Sequence, residues 1–434
     1  MQRSSRRRTA PRRRRDEHSS SELFLHGLAG VIGLGILILP VFVSMVYGGA
    51  FSIYLVILSG FIALMIGMLI YDISLTHSHD PYNFLKATSD REYSFIFGFL
   101  LLVAFIITIT AAGIASVGEI SLFFGLNVYI AIAVVDVIFL IMWILFFYNK
   151  TRRTLNFAGA LKIFFILLLI VVGIVAVSSH GAVSSSQSIT FPSYAFAPFS
   201  LAVILFLWMF GGFESAAIVY KGEDRAKVAK TLIYVIVSAI VLFSIVQLLV
   251  YENSGALSIQ SIELNPVSVF TTNVLSSSLS VPIQDVIVGL SIIVILTMAF
   301  AVINASNRTL DSMAKDGIMP KFLHNDENMK LLITAAVPMA LVTMFSGIIT
   351  IVPGALFVYI PIIILSALSF AAAFAFFAIG YAYHYNKSRD YKRVFFGLFV
   401  GILLIGLILL VPAAFIIGLV VILLVSLLGY VLLR

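Results

Sequence analysis

Cysteine is absent from this chain, which excludes a disulfide framework, a thiolate metal site and a cysteine nucleophile. Charge is scarce: Asp, Glu, Lys and Arg make up 11% of the residues, where a soluble globular protein carries roughly 25%. Hydrophobic types account for 61% of the 434 residues and the mean hydropathy is +1.11, so much of the apolar surface has to face something other than water. No Gly-x4-Gly-Lys-Ser/Thr loop is present to cradle a nucleotide phosphate, which argues against a self-contained ATP-driven pump. The apolar runs also lack the paired acids or His-rich cluster that an intramembrane hydrolase needs, and none of the chain reads as a separate soluble domain. The expectation is a membrane protein that is not an enzyme and that calls for neither cofactor nor metal.

What the chain does have is a succession of long apolar runs. About 20 mostly apolar residues cross a bilayer as one helix. Twelve runs meet or approach that length, at approximately 23–47, 51–75, 93–118, 127–148, 157–179, 198–220, 229–251, 284–308, 331–352, 354–384, 393–410 and 412–432. The first follows an Arg-rich leader but is longer than the roughly 7–15 apolar residues of a signal peptide, so it is expected to remain uncleaved.

The formal charge of +7 arises from 27 basic against 20 acidic residues. Taken alone it would suit nucleic acid or an anionic membrane surface; its distribution decides. Counted along the twelve runs, 26 of the 27 Lys and Arg fall on one side: eight between Arg3 and Arg15, the others in loops after even-numbered runs and at Arg434. Loops on the opposite side hold none. The longest of these, 180–197 and 252–283, are rich in Ser, Asn and Gln and read as solvated connectors. By the positive-inside rule both termini are cytoplasmic. Residues 1–22, with a net +5, read as a disordered basic arm that orients the protein and touches anionic lipid; nucleic acid drops out as a partner. The one basic residue left over is Lys162, inside the fifth run.

Lipid supplies no hydrogen-bond partners, so a spanning helix is interrupted only where the freed backbone groups face protein or a polar cavity. The first run contains Gly27, Gly30, Gly33, Gly35 and then Pro40, and the sixth contains Gly211-Gly212 at its centre, followed by Glu214. Gly27 and Gly30 read as close-packing positions, and Gly33, Gly35, Gly211 and Gly212 as breaks. Interruptions in runs one and six are what an inverted repeat of five plus five helices places at a transporter's midplane site. Glu214 is an ionisable group at mid-membrane and is expected to face the interior, either as a proton-sensitive carboxyl or as a hydrogen-bonded tie between helices. Lys162 has two placements open to it: its ammonium can extend to the interface, or it can point inward and alternate between charged and neutral forms. Asp72 and Asp136 read as members of structural pairs.

Three pieces of sequence go further: Gly33-Leu34-Gly35-Ile36-Leu37-Ile38-Leu39-Pro40, Trp208-Met209-Phe210-Gly211-Gly212-Phe213-Glu214-Ser215, and Ser312-Met313-Ala314-Lys315-Asp316-Gly317-Ile318-Met319-Pro320. In this order, with twelve runs, they resemble the amino acid-polyamine-organocation (APC) superfamily of amino-acid permeases, whose fold is of the LeuT type. The third piece looks like that family's loop after the eighth helix. The resemblance covers most of the chain from about residue 23.

It implies an all-α integral membrane protein of 12 transmembrane helices, with helices 1 and 6 broken. The first inverted repeat, helices 1–5 with an outer loop, would occupy 23–197; the second, helices 6–10, 198–392; and helices 11–12, 393–434. It also implies that backbone amides around Gly33, Leu34 and Gly35 receive a substrate carboxylate, a role that suits an unwound segment at a half-helix amino terminus. Carbonyls between Phe206 and Phe210 would receive the ammonium, Trp208 and Phe210 would cover the substrate beside Gly211 and Gly212, and Lys162, Glu214 and Thr297 would serve proton coupling. Departures are Leu34 where relatives often have a small or hydroxyl residue, Thr76–Tyr82 without paired glycines, and Lys221–Arg225 without an Asn-Pro. The function expected is secondary active transport of amino acids across the cell membrane by alternating access, proton-coupled and sodium-independent. A polyamine or purine (nucleobase) carrier on the same fold, and a channel, are the alternatives.

Overall fold

The computed structural model describes residues 19–47, 51–77, 80–147, 151–180, 196–214, 225–253, 281–317, 323, 327–351 and 356–433. The basic arm up to residue 18 lies outside them, as do most of the two Ser-rich loops and residues 215–224. Fourteen helices account for nearly all of the described residues: α1 (Ser20–Val31), α2 (Leu34–Tyr47), α3 (Phe51–Thr76), α4 (Pro81–Thr88), α5 (Arg91–Phe123), α6 (Val128–Phe147), α7 (Thr151–His180), α8 (Phe196–Phe210), α9 (Arg225–Asn253), α10 (Val281–Lys315), α11 (Glu327–Ile351), α12 (Leu356–Lys387), α13 (Tyr391–Leu409) and α14 (Ala413–Leu433). Helices dominate because a chain in lipid has to satisfy its own backbone groups within each segment.

Eight of them, α3, α5, α7 and α9 to α13, are long and apolar enough to cross a membrane singly. The pair α1 and α2 qualifies as one span bent by 46°, and α6, α8 and α14 contain shorter apolar helices, Val128–Met142, Phe199–Phe210 and Ala413–Leu428. The protein is therefore a multi-pass membrane protein. Side-chain placement on α7 agrees: its outer face carries exposed Phe157, Phe164, Val171 and Ile174, while its buried face carries Lys162, Phe165, Ile166 and Leu169. An apolar face turned outward and a charged residue turned inward is the reverse of a water-soluble helix.

Two local features depart from the reading of the sequence. Thr76–Tyr82 leads into α4, where the Asp80 carboxylate accepts from the Tyr82 amide at 3.0 Å and Pro81 takes the first helical position. An N-cap acid followed by proline is a helix-start signal, and it adds a short helix between the second and third apolar runs. The Ser312–Pro320 piece is not wholly a loop either: α10 continues through Lys315 and turns only at Asp316 and Gly317, where φ is +67°.

Packing follows a pattern. Helix α3 lies along α9, and α5 along α10. The contact of α1 with α7 has a counterpart in α8 with α12, and that of α1 and α2 with α9 a counterpart in α8 with α3. Contacts of α7 with α10 match those of α12 with α5. Helices α13 and α14 add to one side through α12 and α5. At one end, α3 is tied to α13 by the Arg393 guanidinium on Asp72 at 2.8 Å, and the Tyr381 hydroxyl of α12 donates to the same carboxylate at 2.8 Å. Asp136 of α6 accepts from Thr343 of α11 at 3.1 Å. Both acids thus stand in the structural pairs expected of them.

Candidate substrate site

The first break begins where α1 stops. Ile32 is extended and its amide still bonds the Leu28 carbonyl at 2.9 Å, Gly33 is non-helical, and α2 restarts at Leu34. A first-turn amide such as Leu34's has no partner inside its own helix. Here it donates to the Met298 sulfur of α10 at 3.3 Å. The Met298 side chain lies flat across the break, so close that a Cβ on Gly33 would stand 2.1 Å from the sulfur. Gly33 is required for that approach.

The second break follows α8. Gly211 closes a turn onto the Trp208 carbonyl at 2.8 Å, and Gly212 adopts φ +102°, a conformation that side chains disfavour. Its freed amide is received by both carboxylate oxygens of Glu214, at 3.1 and 3.0 Å. Glu214 is fully buried and stitches the break from within. The breaks touch each other, since a Cβ on Gly212 would lie 2.4 Å from the Gly30 carbonyl oxygen, and one on Gly35 would lie 2.9 Å from Met209 Cα.

Between them is a cavity of about 30 Å³ whose lining includes Gly30, Gly35, Thr108, Trp208, Met209 and Met298. That is room for about one water molecule, in a partly open hollow where the two breaks meet. The Trp208 indole closes one wall by donating to the hydroxyls of Thr108 on α5, at 3.1 Å, and Ser366 on α12, at 3.0 Å. Both hydroxyls bond the Ala104 carbonyl in turn.

Lys162 is fully buried, and its Nζ donates to the Ala29 carbonyl of α1 at 2.5 Å. It points inward and does not reach for the interface. One turn earlier Gly159 allows α7 to approach α1, because a Cβ there would stand 2.2 Å from the Leu25 carbonyl oxygen. The last carbonyls of a helix lack intrahelical partners and carry the negative end of its dipole, so a cation at the end of α1 is well placed.

The residues singled out in the sequence separate into groups. Gly35, Trp208, Gly211, Gly212 and Glu214 line the cavity, and Gly33 and Leu34 sit beside it beneath Met298. Phe206 and Phe210 are buried but absent from that lining, and the Phe210 ring packs on Phe243 at 5.2 Å between centroids. Helical geometry accounts for it: residues two apart point about 200° from each other, so a Trp208 that faces the cavity turns the rings of Phe206 and Phe210 away, which bears on the covering role expected of Phe210 and not on the carbonyls of this stretch. Thr297 returns its hydroxyl to the Ile293 and Val294 carbonyls of its own helix. Its neighbour Met298, about 100° further round, meets the break instead. Thr108, Ser366 and Met298 were not anticipated, as each is a lone residue in an apolar helix with no local motif to mark it.

A family model for amino acid permeases matches residues 21–430. The chain belongs to that family, within the APC superfamily. No curated protein matches it. Among solved structures, a mutant of the Eremococcus coleocola manganese transporter superposes with a TM-score of 0.61 at 14% identity, over 96% of this chain and 95% of that one. The same transporter in complex with an aromatic bis-isothiourea substituted compound gives 0.59 at 13% identity, with the same coverage. At such identities the likeness shows the fold. Family and fold are those of a membrane transporter rather than an enzyme.

Proposed function

We propose that this permease is a secondary carrier of amino acids, working by alternating access and coupled to protons rather than sodium. The observation that carries the proposal is the pair of broken helices, α1/α2 and α8, meeting across a small cavity with Leu34's amide turned to the Met298 thioether. Such an amide, at the positive end of a half-helix, suits a carboxylate. Breaks at matched positions in two helices suit a carrier, which occludes its cargo, better than a channel.

Twelve spans follow if the bent pair and the three shorter apolar helices each cross once, with both termini on the cytoplasmic side of the cell membrane. The packing pattern supports a repeat of five plus five. Assigning spans one to ten to α1/α2, α3, α5, α6, α7, α8, α9, α10, α11 and α12, an exchange of span n with span n + 5 turns most helix contacts described above into other observed contacts. Helices related by a two-fold axis face one another across it, as α3 and α9 or α5 and α10 do.

Lys162 supports proton coupling through its place between α7 and the last turn of α1. Gain or loss of one proton there changes whether a cation holds the half-helix, which is the role a bound sodium ion would otherwise take. Manganese, the cargo named for the structural neighbour, prefers carboxylate, carbonyl and water oxygens. Among the described residues the cavity's one carboxylate, Glu214, is engaged with Gly212, and the other side-chain ligands are chiefly thioethers and an indole, a donor set that favours an organic substrate. Polyamines would call for accessible acids, and a purine for in-plane polar partners.

The test is counterflow in proteoliposomes with a panel of L-amino acids, putrescine, adenine and Mn²⁺. Saturable exchange of an amino acid, stimulated by acid outside, is expected; exchange of Mn²⁺, putrescine or adenine alone would refute the reading.

A further inference from the structure

Met298 holds the place at which the substrate carboxylate is received. Its sulfur accepts from the Leu34 amide, its Cβ, Cγ and Sδ lie over Gly33, and it lines the cavity between the two breaks. An unbranched thioether is well suited to fill an irregular gap and then leave it. As an acceptor it is weak, whereas a carboxylate makes charge-assisted bonds roughly twice as strong as neutral ones. Leaving Leu34's buried amide without any partner would be costly in the empty protein.

We infer that Met298 is an internal plug: in the empty carrier it covers the span-one amide, and substrate binds by exchanging a carboxylate for the thioether. The inference rests on the amino-acid reading and deepens it in two ways. It selects for a carboxylate, because a ligand without one gains nothing by displacing Met298. It also couples the site to span eight, since a side chain leaving Gly33 has to find room within α10 and the cavity. The remaining wall, with Val31, Phe105, Val302 and Phe370, and a Trp208 N–H already bonded twice, points to amino acids with apolar side chains as the class admitted.

The experiment uses full-length protein and measures dissociation constants for L-alanine, L-leucine and L-phenylalanine against the matched amines ethylamine, isoamylamine and phenethylamine. Met298→Ala removes the plug, and affinity for the amino acid that binds is expected to rise roughly two- to tenfold, the range set by one lost neutral hydrogen bond. Met298→Gln substitutes a stronger acceptor of similar length, and affinity is expected to fall by a similar factor. A residue that only fills space would weaken binding, or leave it unchanged, in both variants, and that result overturns the plug. In wild-type protein labelled with ¹³C-methyl methionine, the Met298 resonance, assigned by its loss in either variant, should move with an amino acid and stay in place with the amine. An unmoved resonance on amino-acid binding overturns the inference even if one variant fails to fold. If none of the amino acids binds wild type or variants, the amino-acid reading fails, and the plug's proposed occupant with it; binding that is indifferent to Met298 refutes the plug alone.

Discussion

Gly212 and Gly30 meet backbone against backbone: a single methyl on Gly212 would stand 2.4 Å from the Gly30 carbonyl oxygen. The contact joins the two interrupted helices at the cavity and leaves Gly212 no room for a side chain. Because Gly212 is also at φ +102°, Gly212→Ala faces strain of order 1–3 kcal/mol on top of the steric clash. A fall in thermal stability and loss of ligand binding are expected. Gly347→Ala is the control, since nothing lies within 4 Å of its added methyl and alanine favours a helix by up to about 1 kcal/mol. Equal behaviour of the two variants in a detergent unfolding assay would show that the breaks tolerate separation.

Trp208 is bound to two helices by one N–H. Its indole donates to Thr108 and Ser366 at once, so α8, α5 and α12 share a network beside the cavity. Trp208→Phe keeps an aromatic ring, smaller and without the N–H, and leaves both hydroxyls with only their own-network partners. A double-mutant cycle of Trp208→Phe with Ser366→Ala should give a coupling of about 1 kcal/mol, read from unfolding midpoints. Additive effects would mean that the indole acts by packing alone.

Asp72 separates the worth of an ion pair from that of a buried hydrogen bond. Arg393 is 37% exposed at its side chain, and pairs of that kind contribute roughly 0–1 kcal/mol. Tyr381 is buried, and its hydroxyl donates to the same carboxylate. Asp72→Asn preserves an acceptor for Tyr381 and should cost under about 1 kcal/mol. Asp72→Leu strands the hydroxyl and should cost about 1–3 kcal/mol. Equal costs for the two would show that the tyrosine bond carries no weight.

The contrast between what could be read from the sequence and what could not is physical. Helix positions were legible because apolar length is imposed by the bilayer: the run at 51–75 is the helix Phe51–Thr76, and that at 127–148 is Val128–Phe147. The breaks were legible at Gly33 and at Gly211-Gly212, whereas Gly35, which also reads as a break, lies inside α2 and serves the close approach to Met209. Which way a side chain faces was harder, since it depends on a rotation of about 100° per residue relative to neighbours the sequence does not identify. Phe210 and Thr297 each stand close in sequence to a residue that does meet the site, Trp208 and Met298. The hydroxyls of Thr108 and Ser366 lie 258 positions apart, and no local pattern joins them.

Lys162 has no such ambiguity in the structure, and its chemistry yields the sharpest test. Its Nζ is fully buried and holds the Ala29 carbonyl three residues before Ile32, where α1 gives way to the break. Under the proton-coupled reading, acid outside drives uptake because a proton enters with the substrate, and Lys162 is the group whose charge state is felt by α1. Replacing it by alanine or methionine removes the titrating amine while leaving the substrate amide at Leu34 untouched. Uptake into proteoliposomes by wild-type protein should increase as the external pH falls from 8 to 5, by roughly tenfold or more for a one-proton group. The same plot for the Lys162 variants should be flat, with ligand-induced thermal stabilisation retained to show that the site still forms. A variant that keeps the wild-type slope would make Lys162 a cap for the carboxyl end of α1 and nothing more, and the coupling group would then have to be sought at Glu214, the other buried ionisable side chain at the breaks.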